Sequence, residues 1–197
     1  MEVLKVNPKN FKGVIIQVVE SIKRGKVIIC PTDTVYGLIC DATNEKAVNK
    51  IFKIKKRSFQ KPVSIFVKDF KMAKKFTKIN KNQEKFLKKV WPGKVIAVLK
   101  TKRRFPRGIV CQRGKIGLRM PKYKLLNETL NKFKGPLAQT SANLAGKPTL
   151  PLMKNILKQF QNKKYRPDLA IDAGKLSGKP SMVIDLTQSP PKILLRS

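Results

Sequence analysis

Lys26-Val27-Ile28-Ile29-Cys30-Pro31-Thr32-Asp33-Thr34-Val35-Tyr36-Gly37-Leu38 is the stretch on which the reading of the chain turns. An apolar run, Val27 to Cys30, stops at a proline, and two threonines, a tyrosine and a glycine follow. Such a run reads as a buried strand opening into a polar loop. In open α/β sheets, ligands bind beyond the carboxyl ends of strands. Thr32 and Thr34, two positions apart, would point to one side of an extended segment. Two readings stand at this point. The loop is an ordinary strand exit built from turn-forming residues, or it is a wall that holds a small polar ligand.

Outward from this stretch, strands and helices alternate. Short apolar runs predict strands at Val3–Val6, Val63–Val67, Val95–Leu99, Ile116–Pro121, Pro136–Gln139, Leu169–Gly174, Ser181–Leu186 and Ile193–Leu195. Helical spacing of apolar residues predicts helices over 9–24, 69–76, 81–91, 125–133 and 152–160. A further helix would be capped by Asn44, with Glu45 in its first turn, and would end in the cationic cluster Lys53-Ile54-Lys55-Lys56-Arg57. Gly25 stands where a helix C-terminus wants glycine. Residues 101–115 read as polar and irregular. The alternation predicts an α/β fold with one twisted, mixed sheet flanked by helices. No linker or repeat divides residues 1–197, so one domain is expected.

Composition narrows the chemistry. The chain has 197 residues, long enough to bury about 70% of its unfolded surface. It contains no histidine, which removes Ser-His-Asp and Cys-His mechanisms and the usual zinc ligand sets. Its three cysteines, Cys30, Cys40 and Cys111, have no CxxC spacing and read as reduced thiols. No apolar run approaches the ~20 residues that span a bilayer, and the N-terminus shows no signal-peptide pattern, so a cytoplasmic protein without membrane contact is expected. The net charge is +34, from 45 Lys and Arg against 11 Asp and Glu. That field attracts RNA and nucleotides, although lysines spread over the whole length also fit a lysine-rich composition. Catalysis, where present, rests on Lys, Arg, carboxylates, hydroxyls or a metal ion.

Four loops repeat one pattern, a short apolar strand followed by Ser, Thr, Arg or Lys near Pro or Gly: 31–37, 55–62, 119–121 and 139–148. Together they suggest a shared anion-binding cleft. Neither GxxxxGK[ST] nor GxGxxG is present.

These loops carry a resemblance to a known family. Pro31-Thr32-Asp33-Thr34-Val35-Tyr36-Gly37-Leu38 resembles the P-T-[ED]-T-x-Y-G-L signature of the YrdC family of threonylcarbamoyl-AMP synthases. Lys55-Lys56-Arg57 followed by Lys61-Pro62 is similar to its K-x-R segment, Trp91-Pro92-Gly93 to its W-P-G, and Leu118-Arg119-Met120-Pro121 to its V-R-x-P. Ser141-Ala142-Asn143 is similar to its S-x-N, Asp172-Ala173-Gly174 to its D-G-G, and Pro180-Ser181-Met182-Val183-Ile184-Asp185 to its P-S-T-V-V-D. Leu195-Arg196 matches its terminal arginine. The motifs occur in family order over residues 31–196. Ile96, Met182, Ala173 and Ala145 depart from the family's usual threonine, threonine, glycine and serine.

The resemblance implies a YrdC-like fold with a large basic concave cleft. It implies that L-threonine, bicarbonate and ATP, with Mg²⁺, give threonylcarbamoyl-AMP and pyrophosphate, for tRNA modification by downstream transfer proteins. By the same resemblance, Lys55, Arg57, Ser141 and Asn143 are the catalytic set. Arg57, Lys61, Ser141, Asn143 and Arg196 would hold ATP. Thr34, Arg119 and Ser181 would hold threonine. No protein-bound metal ligand is implied. The +34 charge keeps a second hypothesis in view, a non-catalytic RNA-binding protein, and tRNA a candidate partner. A third, a carbamoyltransferase of the hydrogenase-maturation type, would carry additional zinc-binding domains, of which the chain has none.

Overall fold

A computed structural model describes residues 1–111 and 114–194. Its centre is the stretch quoted first. Ile28–Cys30 forms β2 and Gly37–Asp41 forms β3, an antiparallel neighbour that pairs Cys30 with Gly37. Successive residues of β2 and β3 serve opposite faces. Ile29, Leu38 and Cys40 enter one apolar cluster, and Ile28, Cys30 and Ile39 enter another. A strand covered on both faces reads as a continuous apolar run. That is why Val27–Cys30 shows no alternation.

The remaining strands join the same sheet. They are β1 (Glu2–Lys5), β4 (Ser64–Phe66), β5 (Thr77–Lys78), β6 (Val95–Thr101), β7 (Val110–Cys111), β8 (Lys115–Arg119), β9 (Leu137–Ser141), β10 (Leu169–Asp172), β11 (Met182–Asp185) and β12 (Lys192–Leu194). The order is β1-β10-β2-β3-β9-β4-β8-β6-β11-β12, with β5 on β6 and β7 on β8. Parallel pairs (β1/β10, β10/β2, β4/β8, β6/β11) stand in one sheet with antiparallel ones, so the sheet is mixed, as expected.

Among the described residues six helices cover the faces: α1 (Phe11–Lys23), α2 (Glu45–Lys55), α3 (Phe70–Phe76), α4 (Lys81–Val90), α5 (Lys124–Phe133) and α6 (Met153–Phe160). Val14, Val18 and Ile22 of α1 meet Leu125, Leu126 and Leu130 of α5 in one cluster. Each such side chain contributes about 1.5–3 kcal/mol when fully buried. Ile51 and Phe52 of α2, Leu87 of α4 and Ile156 and Phe160 of α6 fill the other cluster. Asn44 caps α2 as its sequence predicts, its side-chain oxygen accepting from the Ala47 amide at 3.0 Å. Gly25 takes φ +71° after α1, a left-handed conformation that favours glycine.

Three strands are not evident in the sequence. β3 follows the turn residues of the 31–36 loop and is buried on both faces, so it lacks the period-2 signal. β5 and β7 are two residues each and take their hydrogen bonds from β6 and β8 within stretches that read as helix end and irregular loop. Leu195, expected to end the last strand, lies outside the described residues.

Candidate active site

Two clusters of polar side chains grow from this sheet, each around one buried cation. The first centres on Arg119, at the end of β8 and only 1% exposed. Its Nη1 donates to Thr34 Oγ1 at 3.2 Å and to Ser181 Oγ, its Nη2 to Asp33 Oδ1, and its Nε to the Gly93 carbonyl at 2.9 Å. The guanidinium also lies 5.6 Å from the Phe66 ring centroid. Burial pulls the Arg119 pKa down while Asp33 pushes it back up. Arginine keeps its proton in proteins, so the charge is permanent, and a carboxylate compensates it.

The loop 31–36 has a division of labour that its residue types alone leave open. Thr32 shapes the loop, accepting from the Thr34 amide at 3.0 Å and donating to the Val35 carbonyl at 2.7 Å. The Thr32 proton is thereby used, so in the 2.9 Å contact between the two hydroxyls Thr34 is the donor. Of the two threonines, Thr34 is the one that faces Arg119, beside Asp33. Tyr36 clamps the 172–174 turn, its hydroxyl donating to the Gly174 carbonyl at 2.7 Å and accepting from the Ala173 amide at 3.0 Å. Gly178 packs directly over Thr34. A Cβ there would sit 2.0 Å from the Thr34 carbonyl oxygen, so no other residue fits without moving the loop.

The second cluster centres on Lys55, the last residue of α2, also 1% exposed. Its Nζ donates to the Ser141 carbonyl at 2.7 Å, the Asn143 carbonyl at 2.5 Å and Asn143 Oδ1 at 3.0 Å. An ammonium has three protons, and here each meets an oxygen. Ser141 Oγ donates to the same Asn143 Oδ1 at 2.6 Å, and Asn143 Nδ2 donates to the Lys147 carbonyl. The Ala145 amide closes the loop back onto the Lys55 carbonyl at 2.9 Å. Among the described residues no carboxylate pairs with Lys55. Burial, and then the nearby Arg57 charge, lower its pKa to about 7.

Register joins the clusters. β3 pairs Gly37 with Ser141 of β9, and the Ala142 amide donates to the Tyr36 carbonyl at 2.8 Å. Tyr36 is two residues from Thr34, at most about 7 Å of extended chain. The expected threonine set, Thr34, Arg119 and Ser181, therefore meets in one place, and Lys55, Ser141 and Asn143 meet in another beside it. Arg57 donates from Nε to the Lys61 carbonyl at 2.6 Å and from Nη2 to the Pro62 carbonyl at 3.3 Å, so it braces the 58–62 loop. Lys61 is exposed on that loop. Arg196 lies outside the described residues.

Asp33 is the residue the sequence reading left without a role. The signal was available: one of only 11 acidic residues sits inside the motif that faces an arginine. Two of the four motif departures use backbone groups and two do not. Ala145 and Ala173 each act through their amide, Met182 is exposed, and Ile96 is buried against Gly117.

Residues 20–197 match the Sua5–YciO–YrdC family model, whose description is "Telomere recombination". The chain belongs to this family. A threonylcarbamoyl-AMP synthase assignment from Methanocaldococcus jannaschii, itself given as putative, is 35% identical over 187 residues, 94% of this chain and 86% of that protein. Sua5 of Pyrococcus abyssi in complex with L-threonine superposes with a TM-score of 0.87 at 31% identity, over 98% of this chain. The chain spans 56% of that Sua5 chain, about half its length. Escherichia coli YciO superposes with a TM-score of 0.88 at 26% identity, over 98% of this chain and 95% of that one. The mixed sheet and its flanking helices are those of the family.

Proposed function

We propose that the protein is an L-threonylcarbamoyladenylate synthase, a nucleotidyltransferase that forms threonylcarbamoyl-AMP and pyrophosphate from L-threonine, bicarbonate and ATP. The observation that carries this reading is the meeting of Thr34, Arg119 and Ser181 next to a second cluster built on Lys55, Ser141 and Asn143. Relatives with the synthase name and a neighbour that binds L-threonine support it.

The chemistry follows from the two clusters. Threonine's amine and bicarbonate give a carbamate with loss of water. A carbamate oxygen attacks the α-phosphorus of ATP, the bond to the β-phosphate oxygen breaks, and pyrophosphate leaves with the electron pair. The nucleophile belongs to the substrate, so the chain needs neither histidine nor an activated serine. Its work is positioning and charge stabilisation. Arg119, with Thr34 and Ser181, receives the amino acid. Lys55 holds the 141–143 loop in shape and places an uncompensated positive charge where the phosphates arrive, with Arg57, Lys61 and Arg196 completing the cationic lining of a concave cleft. Ser141 and Asn143 contact the nucleotide.

Mg²⁺ enters as part of the substrate. Among the described residues no group of three or more Cys, Asp or Glu side chains could hold a metal ion, and magnesium ions are commonly bound through substrate phosphates. The product passes to downstream transfer proteins that modify tRNA, which makes the chain a cytoplasmic enzyme.

Purified protein supplied with ATP, Mg²⁺, bicarbonate and L-threonine should release pyrophosphate, and omission of any one should stop it. Release that does not depend on threonine contradicts the reading.

A further inference from the structure

A groove of about 560 Å³ lies outside both clusters, between the outer face of α2 and the segment Lys164–Asp168. That volume falls in the range of small-ligand sites. Lys46, Lys50 and Lys53 line one side, at the four- and three-residue spacing that puts side chains on one face of a helix. Lys164, Tyr165 and Arg166 line the other. Tyr165 is 39% exposed, and its ring centroid lies 5.1 Å from Lys53 Nζ and 5.9 Å from Lys164 Nζ. An exposed aromatic ring with two ammonium groups beside it is a platform for a base next to sites for phosphates.

The groove's single carboxylate, Asp168, is already occupied. One oxygen accepts from Lys50 Nζ at 2.6 Å and the other from the Val27 amide at 2.8 Å, which ties the segment to the start of the central strand. Five cations face it, so the groove is strongly positive. The groove along the outer face of α1 differs, because Glu2 and Glu20 line it together with Arg24 and Lys26.

We infer that the α2–Tyr165 groove is an RNA-docking site, separate from the two clusters, in which a strand's phosphates lie on Lys46, Lys53, Lys164 and Arg166 and an unstacked base lies on Tyr165. α2 is common to both places: Lys53 faces the groove, and Lys55, two residues on, is buried against Ser141 and Asn143. The inference does not depend on the synthase reading.

The test is binding of a fluorescent single-stranded RNA to the full chain across a salt series, with ATP and tripolyphosphate as competitors. The triple variant K53E/K164E/R166E should bind at least tenfold more weakly and flatten the slope of log affinity against log salt, by about 0.7 for each lost phosphate contact. Tyr165→Ala should cost about fivefold or more. A control of equal charge change on exposed lysines elsewhere, K85E/K89E/K132E, should lose much less. Circular dichroism spectra and urea midpoints of the groove variants should match those of the parent, which shows that they fold. Equal losses in the two triple variants, or an unaffected Tyr165→Ala, would overturn the site in favour of a diffuse charge effect. Complete displacement of RNA by equimolar ATP or tripolyphosphate would overturn it in favour of a small-anion site.

Discussion

Arg119 and Lys55 are equally buried, at 1% exposure each, yet the protein treats their charges differently. Arg119 faces a carboxylate, two hydroxyls and a carbonyl. Lys55 faces only neutral oxygens, with another cation, Arg57, close by. A buried charge with a partner is settled, whereas one without a partner is destabilised until an anion arrives. The difference suits a zwitterionic amino acid at the first cluster and a polyphosphate at the second.

The largest effect expected from disturbing this contrast is at Lys55. Lys55→Ala removes the charge and leaves the carbonyls of Ser141 and Asn143 without their donor. Pyrophosphate release should fall about 100-fold or more, the order found when a preorganised electrostatic donor is lost. Circular dichroism should still show a folded chain. Asp33→Ala should come next. It strands the Arg119 charge in the interior, and urea unfolding should show a loss of about 3 kcal/mol. If Asp33→Ala unfolds at the same urea concentration as the parent, the pairing contributes nothing and the contrast fails.

Ser181→Ala tests the first cluster more gently. Removing one hydroxyl that accepts from a cation costs about 1.5 kcal/mol, so the threonine KM should rise about tenfold while the ATP KM holds. A change of pH probes the same contrast without a substitution. Lys55 titrates near 7 in the folded chain and near 10.4 when unfolded. The unfolded state therefore binds more protons across that window, and this residue's contribution to stability grows as pH rises from 7 to 10. Activity should move the other way. Above about pH 7 the free enzyme loses the charge at the second cluster, and kcat/KM for ATP should decline. Lys55→Met should remove its part of the stability trend.

The sequence carries much of this, unevenly. The alternation of apolar runs and helical spacing locates most elements, because core faces impose their period on the chain. Asn44 and Gly25 mark helix ends through local hydrogen bonding and backbone freedom, and both do so in the structure. β3 is hidden because a strand buried on both faces carries no alternation, and its start, Gly37, reads as a turn. The membership of the two clusters follows from motif order. Their internal wiring does not, since the Gly37–Ser141 register that sets Thr34 near Ser141 joins residues 104 apart in sequence. That Lys55 spends its three protons on the 141–143 loop, and that Asp33 compensates Arg119, are facts of three-dimensional contact that residue types alone cannot fix.

The division of ligands between the two clusters is tested most directly by calorimetric binding of L-threonine and of a non-hydrolysable ATP analogue to three proteins: the parent, Ser181→Ala and Ser141→Ala. Ser181→Ala should weaken threonine about tenfold and leave the analogue unchanged, and Ser141→Ala should do the reverse. Equal weakening of both ligands by each substitution, or the opposite assignment, would contradict the account.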